Sequence, residues 1–283
     1  MRSRAESRPG LTYDRRSVIE CAVRQRLLQK PGLGNMLSSR RRTWFYVGMA
    51  LVMLACMAVG FAPTFYLRPY FERIDLSGTR ELPTHLVIHG FLLTAWFLLF
   101  FVQTLLVARG ATEAHRRLGV YGGFLAVAVV AASAVTVMRE PARTLAAAAS
   151  KDPNFFFVVV HAFLAGILSL VLFAGFVGLG IYFRRRPATH KRLMLLASLQ
   201  IIGPAFSIAR PLGGALQPLM PFVPVGLAVI LLPLSAMFVR DLVEFRRPQR
   251  ATVWGAVVTI FGLLLGGVLT ATDAAQSLVR SLA

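Results

Sequence analysis

Seven long runs without charged residues place strong limits on how this chain folds. A helix needs about 20 apolar residues to cross the roughly 30 Å hydrocarbon core of a bilayer, and these runs reach or approach that length. They cover residues 44–66, 85–107, 118–138, 155–183, 193–208, 222–239 and 252–272. Hydrophobic residues make up 56% of the chain and charged residues only 15%, unlike ordinary soluble domains. We therefore predict an all-α, polytopic transmembrane bundle of about seven helices.

Five prolines make the stretch from 203 to 224 the weakest part of this prediction. They are Pro204, Pro211, Pro218, Pro221 and Pro224. Proline breaks or kinks helices, although membrane helices tolerate it where neighbours satisfy the freed backbone groups. A bent or discontinuous pair of helices is therefore an alternative to two straight ones here.

Basic residues predict the orientation of the bundle. Short cytoplasmic loops accumulate Lys and Arg, and 23 of the 31 such residues fall in the segment before Trp44 or in the loops that follow even-numbered helices. We therefore predict a cytoplasmic N-terminus and an external C-terminus. The organisation is a basic tail over 1–42, a helical domain over 43–273 with a histidine-bearing core over about 84–210, and an external tail over 274–283.

The excess of Lys and Arg on the predicted cytoplasmic side explains the net charge of +19. A nucleic-acid-binding face would gather basic residues without regard to membrane side, so no nucleic acid is expected as a partner. Anionic lipid headgroups are the expected partner instead. Cys21 lies in the tail and Cys56 in the first span, so they cannot form a disulfide or a cysteine-based metal site.

The tail allows several interpretations. Ile19, Val23 and Leu27 have the spacing of one helical face, which is typical of a membrane-surface helix. Alternatively, Met36 is the true start, because a basic segment followed by an apolar run is a common beginning for a membrane protein. The first span is too long for a cleaved signal peptide.

All five histidines lie in or at the ends of the second to fifth predicted helices. His85, His89 and His161 are expected in the outer leaflet, whereas His115 and His190 stand at cytoplasmic helix ends, in HRRLG and HKRLM. The order along the chain is outer, inner, outer, inner, as in a duplicated helix pair. Facing side chains of a bundle form ligand sites in this way.

Neutral imidazole is a common axial ligand of haem iron. Two opposed histidines in each leaflet predict two b-type haems, with His89, His161, His115 and His190 as iron ligands and His85 as a further candidate. Arg116 and Arg192 could pair with the propionates, and the absence of CxxCH excludes the usual covalent attachment. An alternative is that the two inner histidines bind no ligand. Clusters of basic residues are expected at cytoplasmic helix ends in any case.

Other polar or small residues have mainly structural interpretations. Gln103 and Gln200 are expected to bridge helices by hydrogen bonds, and two GxxxG pairs to allow close packing. Those pairs are Gly119 with Gly123, and Gly262 with Gly266. Arg210 is a candidate for binding an anionic headgroup or substrate, or a snorkelling arginine.

Absent motifs narrow the function further. Asp and Glu fall in the tail, in loops or at helix ends, which argues against a proton pump with a carboxylate at the membrane centre. Nucleotide-binding loops and the HExxH and GxSxG motifs are also missing from the sequence.

Three segments carry a family resemblance: HGFLLTAWFLLFFVQTLLVARG, HRRLGVYGGFLA and HKRLMLLASLQIIGPAFSIARP. Over about residues 43–240 the chain resembles a family of bacterial predicted membrane proteins of unknown function, which implies a bacterial inner membrane. More remotely, the histidine order is similar to that of the ascorbate-reducible, diheme transmembrane b cytochromes. This second resemblance implies that His89 pairs with His161 and His115 with His190.

Three functions are therefore in competition. The first is a membrane oxidoreductase that passes electrons through haem b between a quinone or small reductant and an acceptor. The second is a transporter or channel without haem that uses the proline-broken region around 204–224. The third is a non-catalytic membrane partner of another complex.

Overall fold

The computed structural model describes residues 33–70, 82–147, 153–203, 215–219 and 224–282. These ranges contain eight α-helices, which we number in chain order. They are α1 (Leu33–Phe61), α2 (Thr84–Ala108), α3 (Thr112–Ala147), α4 (Pro153–Tyr182), α5 (Pro187–Gln200), α6 (Val225–Phe245), α7 (Arg250–Thr270) and α8 (Asp273–Leu282). Residues up to Thr43 and residues from Trp44 onward form separate units, and the packing described below belongs to the second.

Six of these helices are long and apolar enough to cross a membrane. They are α1 to α4, α6 and α7, with mean hydropathy between 1.9 and 2.6 over their most apolar windows. The predicted all-helical, multi-pass membrane architecture is confirmed at this level. A seventh crossing stays a prediction, because α5 has only 14 residues and residues 204–214, which would extend it, lie outside the described residues.

Helix α5 is short because prolines limit it on both sides. Pro187 is its first residue, where the missing N–H is not needed, and Pro204 follows four residues after its end. At 1.5 Å per residue, α5 is about 21 Å long, less than the hydrocarbon core. Leu195, Leu196 and Ala197 are 0% exposed. A helix buried on all sides occupies the centre of a bundle.

Large side chains fill the space around α5. Trp96 of α2 packs edge-to-face on Phe173 of α4, with ring centroids 4.9 Å apart. Phe97, Met53 and Leu196 belong to the same buried cluster. Because lipid is as apolar as these side chains, close packing and interhelical hydrogen bonds hold such helices together.

Glycines on α7 allow it to approach α4 and α5. A Cβ at Gly262 would lie 2.9 Å from Leu172, one at Gly266 3.2 Å from Leu168, and one at Gly255 2.1 Å from Leu196. The predicted close packing at Gly262 and Gly266 is confirmed. The prediction of close helix packing at Gly123 is wrong, because a Cβ there would meet no described atom within 4 Å.

Helices α3 and α6 continue past the ends of the apolar runs from which they were predicted. Helix α3 has 36 residues and contains Pro141, and α6 continues past residue 239 to Phe245. In α6 the charged residues are paired: Arg240 with Glu244 and Asp241 with Arg192. Pairing satisfies the charges, so the helix continues where hydropathy alone predicts its end.

The predicted external tail forms helix α8. Its buried residues Ala275 and Val279 pack with Val160 and Phe163 of α4. Arg280 lies over the ring of Phe156, 5.0 Å from its centroid. One apolar face of α8 therefore lies on the bundle.

Candidate functional site

Contacts between helix beginnings and helix ends show that α2 runs antiparallel to α3 and that α4 runs antiparallel to α7. His85, at the start of α2, meets Glu140 near the end of α3, and His161 of α4 meets Thr270, the last residue of α7. We call the end with the connections 109–111, 183–186 and 246–249 the basic end. The opposite end, with these two contacts, is the far end.

The structure brings His115 and His190 together at the basic end. Their ring centroids are 6.2 Å apart, with an interplanar angle of 78°. Each lies in the first turn of its helix, α3 or α5. The Nδ1 of His190 is 2.8 Å from the carbonyl oxygen of Gly180. Since a carbonyl only accepts, Nδ1 is the donor in this hydrogen bond, and in the neutral ring Nε2 would then carry the lone pair.

Unsatisfied polar atoms accompany this pair. The Nδ1 atom of His115 and the Oε1 atom of Gln103 are buried and have no hydrogen-bond partner. The side-chain amide nitrogen of Gln103 would lie 3.6 Å from a Cβ at Gly119, one turn after His115 on α3. Buried polar atoms without partners are rare and unfavourable. We call Gln103, His115 and His190 the inner histidine cluster.

The inner histidine cluster has the spacing of a metal-ligand pair. A metal–nitrogen bond is about 2 Å long, so two imidazoles on opposite sides of one metal ion have ring centroids about 6 Å apart. The observed separation is 6.2 Å. A hydrogen bond from one ring nitrogen to a carbonyl, as at Gly180, is typical of metal-binding histidines. The donor types and the ring separation are therefore compatible with iron ligation, and the same separation is also usual for two packed rings.

At the far end, His85 belongs to a small charged group. Its Nε2 is 3.4 Å from an oxygen of Glu140. Arg143 also pairs with Glu140, three residues away on the same helix. Glu140 is therefore shared by two cationic or potentially cationic groups.

His89 and His161 each have a hydroxyl partner on a different helix. The Nδ1 of His89 lies 3.3 Å from Ser133 Oγ on α3, and the Nδ1 of His161 lies 3.3 Å from Thr270 Oγ1 on α7. His161 is exposed on the outside of the bundle. These contacts do not link the two histidines, so their predicted pairing as haem ligands stays a prediction.

A buried ion pair links α5, α6 and α7 at the basic end. The Nη2 of Arg192 donates to Asp241 Oδ1, and the two side chains are 3% and 2% exposed. Thr252 Oγ1 donates to Asp241 Oδ2 at 2.6 Å and accepts from Arg192 Nε at 3.2 Å. The backbone N–H of Gln249 also donates to Asp241 Oδ2. We call Arg192, Asp241, Thr252 and Gln249 the three-helix network.

Further buried hydrogen bonds fix the last turn of α5. Gln200 Nε2 donates to Thr259 Oγ1 of α7 at 3.0 Å, which confirms the predicted helix-bridging role of this glutamine. Trp96 Nε1 donates to Ser198 Oγ at 3.1 Å. Helix α5 is therefore held by directional contacts to both α2 and α7.

The three-helix network was missed from the sequence. The sequence makes Arg192 a candidate partner of a haem propionate, but in the structure Arg192 forms an ion pair with Asp241. The signal for Asp241 was weak, since an acidic residue just after an apolar run looks like an ordinary helix end. Arg116 is exposed beside the inner histidine cluster, and Arg210 lies outside the described residues.

Comparison of the chain with protein-family models, with characterised proteins and with solved structures gives no match.

Proposed function

We propose that this multi-pass membrane protein is a redox protein that binds haem b through His115 and His190. The observation that carries the proposal is the ring separation of 6.2 Å between two histidines from different helices. We place the protein in a bacterial inner membrane with its basic end in the cytoplasm, because that end carries most of the loop arginines.

His190, His115 and the neighbouring Arg116 each have a defined part in this proposal. The carbonyl of Gly180 accepts from Nδ1 of His190, which would leave Nε2 of the neutral ring to bind iron. His115 offers its unpartnered Nδ1. Exposed Arg116 is suited to an anionic propionate at the membrane surface. Bound there, haem would supply one-electron exchange between a lipid-dissolved quinol or small reductant and an acceptor.

The proposal includes one haem per chain, whereas the histidine pattern of the sequence predicts two. A second haem at the far end requires His89 and His161 to share one iron. Their hydroxyl contacts to Ser133 and Thr270 do not support that arrangement. We therefore propose one haem per chain.

The test is to purify the full chain in mild detergent after expression with added haem precursor. We expect a red protein with one haem per chain and a Soret band that shifts on reduction with dithionite. His115→Ala and His190→Ala should each lose this band. His161→Ala is the matched control, and it should keep both the band and the haem content.

Two results would overturn the assignment. A colourless protein despite adequate haem supply would exclude haem binding. Retention of the full band in both His115→Ala and His190→Ala would exclude these ligands. Two haems per chain, with one lost in His89→Ala and in His161→Ala, would restore the two-haem hypothesis instead.

The short, central helix α5 supports transport as the second candidate function. Transporters place substrates near the ends of discontinuous helices inside the bundle, and α5 is both short and central. A colourless protein that carries a small solute into liposomes would support this alternative.

A further inference from the structure

A cavity of about 400 Å³ opens at the basic end, between the first turns of α5 and α7. Its lining includes three arginines, Arg192, Arg247 and Arg250, together with the polar side chains of Thr189 and Gln249. The volume lies within the range of about 300 to 1,000 Å³ that is typical of small-ligand sites. A cavity so rich in arginine is suited to an anion.

The N-termini of two helices also favour an anion in this cavity. Helices α5 and α7 both begin at this cavity, and neither has a side-chain cap at its first turn. Ala188 and Ala251, the second residues of these helices, line the cavity. The N–H groups of Thr189 and Thr252 already bond the carbonyls of Arg186 and Gln249, so the N–H groups before them are the ones that face a ligand. The helix dipole attracts negative charge there.

The positive charge of the cavity comes from Arg247 and Arg250. Arg192 is neutralised by Asp241 in the three-helix network. Within the described part of the chain, neither Arg247 nor Arg250 forms an ion pair or a side-chain hydrogen bond. Two guanidinium groups therefore remain available to an anionic ligand.

The three-helix network fixes one wall of the cavity in place. The connection between α6 and α7 is only four residues long, from 246 to 249. Arg246 adopts a left-handed conformation, with φ of 54°, which is uncommon for a residue other than glycine. The N–H of Gln249 donates to the buried Asp241. Ligand binding at Arg247 and Arg250 therefore requires little ordering of the backbone.

We propose that this cavity binds a phosphate group, presented either by an anionic lipid headgroup of the adjacent leaflet or by a soluble phosphorylated compound. Guanidinium groups bind phosphate oxygens through paired hydrogen bonds, and helix N-termini bind the same group through backbone N–H. This site is separate from the inner histidine cluster and does not depend on haem.

The test uses the full chain in a neutral detergent and measures binding by calorimetry. The probes are short-chain phosphatidic acid and inorganic phosphate, and short-chain phosphatidylcholine serves as a zwitterionic comparison. We expect saturable binding of at least one of the two anionic probes. In Arg247→Gln/Arg250→Gln the affinity should fall at least about tenfold, because hydrogen bonds to two charged groups are lost.

The control is Arg184→Gln/Arg185→Gln, which removes the same charge from the same end of the bundle but does not touch the cavity lining. Its affinity should stay within about twofold of the original, a change of less than half a kcal/mol. Binding of phosphatidic acid alone would identify the lipid as the source of the phosphate. Binding of both anionic probes, with competition between them, would identify the phosphate group itself as sufficient.

Other outcomes would overturn the proposal. One is the absence of saturable binding by either anionic probe. Another is an equal loss of affinity in both double variants, which would indicate general attraction to a basic surface. Equal binding of phosphatidylcholine and phosphatidic acid would indicate a detergent-like lipid contact without phosphate recognition. None of these measurements depends on whether the protein is red.

Discussion

The basic end and the far end of the bundle both contain polar side chains, but they bury them differently. At the basic end, Arg192 and Asp241 are 3% and 2% exposed and are joined to two more residues in the three-helix network. At the far end, His85 and Glu140 are 15% and 29% exposed. The difference shows where the directional contacts between helices are fully buried and where they lie nearer the surface.

This contrast has a physical cause. A polar group buried among helices loses its water and must find partners in the protein. Groups near the bundle surface can still reach the polar region of the bilayer. We therefore expect substitutions at the basic end to reduce stability more than comparable substitutions at the far end.

The largest effect should follow from Asp241→Leu, which leaves Arg192 buried without its partner. Breaking a buried ion pair in this way costs about 3 to 5 kcal/mol. The measurement is the free energy of unfolding in mixed detergent micelles titrated with SDS. Glu113→Gln is the control, because the Glu113–Arg117 pair is 78% and 79% exposed and should contribute less than about 1 kcal/mol.

A double variant sharpens this prediction. Arg192→Leu/Asp241→Leu removes both charges, and replacing a whole buried pair by apolar groups is often close to neutral. We expect it to regain most of the stability lost in Asp241→Leu. A double variant as unstable as the single one would mean that Thr252 and Gln249, rather than the charge pair, carry the stabilisation.

A smaller loss is expected at Gly255, where α7 approaches α5. Gly255→Ala places a Cβ 2.1 Å from Leu196, and overpacking of this kind costs about 1 to 3 kcal/mol. Gly123→Ala is the matched control, since no described atom lies within 4 Å of the added Cβ. The same SDS titration should show little change for the control. Equal effects would contradict the close contact at Gly255.

Removal of a buried hydroxyl should have a lesser effect. In Thr259→Val, Gln200 keeps only its bond to the carbonyl of Leu196. Interhelical hydrogen bonds in membranes contribute about 0.6 kcal/mol and rarely more than about 1.7. The unfolding free energy should fall within that range, and a loss of several kcal/mol would show that Thr259 has further contacts of importance.

The smallest effect should be at the far end, in Ser133→Ala. Ser133 contacts His89 across 3.3 Å, and His89 has another interaction as well. We expect a loss below about 0.5 kcal/mol in the same titration. A loss larger than that of Thr259→Val would break the proposed contrast between the two ends.

Hydropathy was sufficient to predict most of the helices, because each membrane crossing leaves a local signature. It failed where tertiary contacts decide the outcome. Helix α6 runs to Phe245 because Arg240 and Asp241 find partners, and α8 forms because Ala275 and Val279 have an apolar surface to cover.

The candidate site was predictable only in part, for the same reason. Helix periodicity and predicted sidedness place His115 and His190 at one end of the bundle, and the structure brings their rings together. The ion pair between Arg192 and Asp241 joins residues 49 positions apart. Such a contact leaves no local pattern, so neither the network nor the cavity beside it could be read from one sequence.

The shortness of α5 also has a consequence for how the protein is made. As the ribosome releases α5, the segment carries His190, Lys191 and Arg192, and the carboxylate that neutralises Arg192 has not yet been synthesised. A segment of 14 residues is too short to cross the bilayer alone, and an arginine buried without its ion-pair partner is strongly unfavourable. We expect α5 to enter the membrane late, together with α6 and α7. The centre of the finished bundle would then be among the last parts to be inserted.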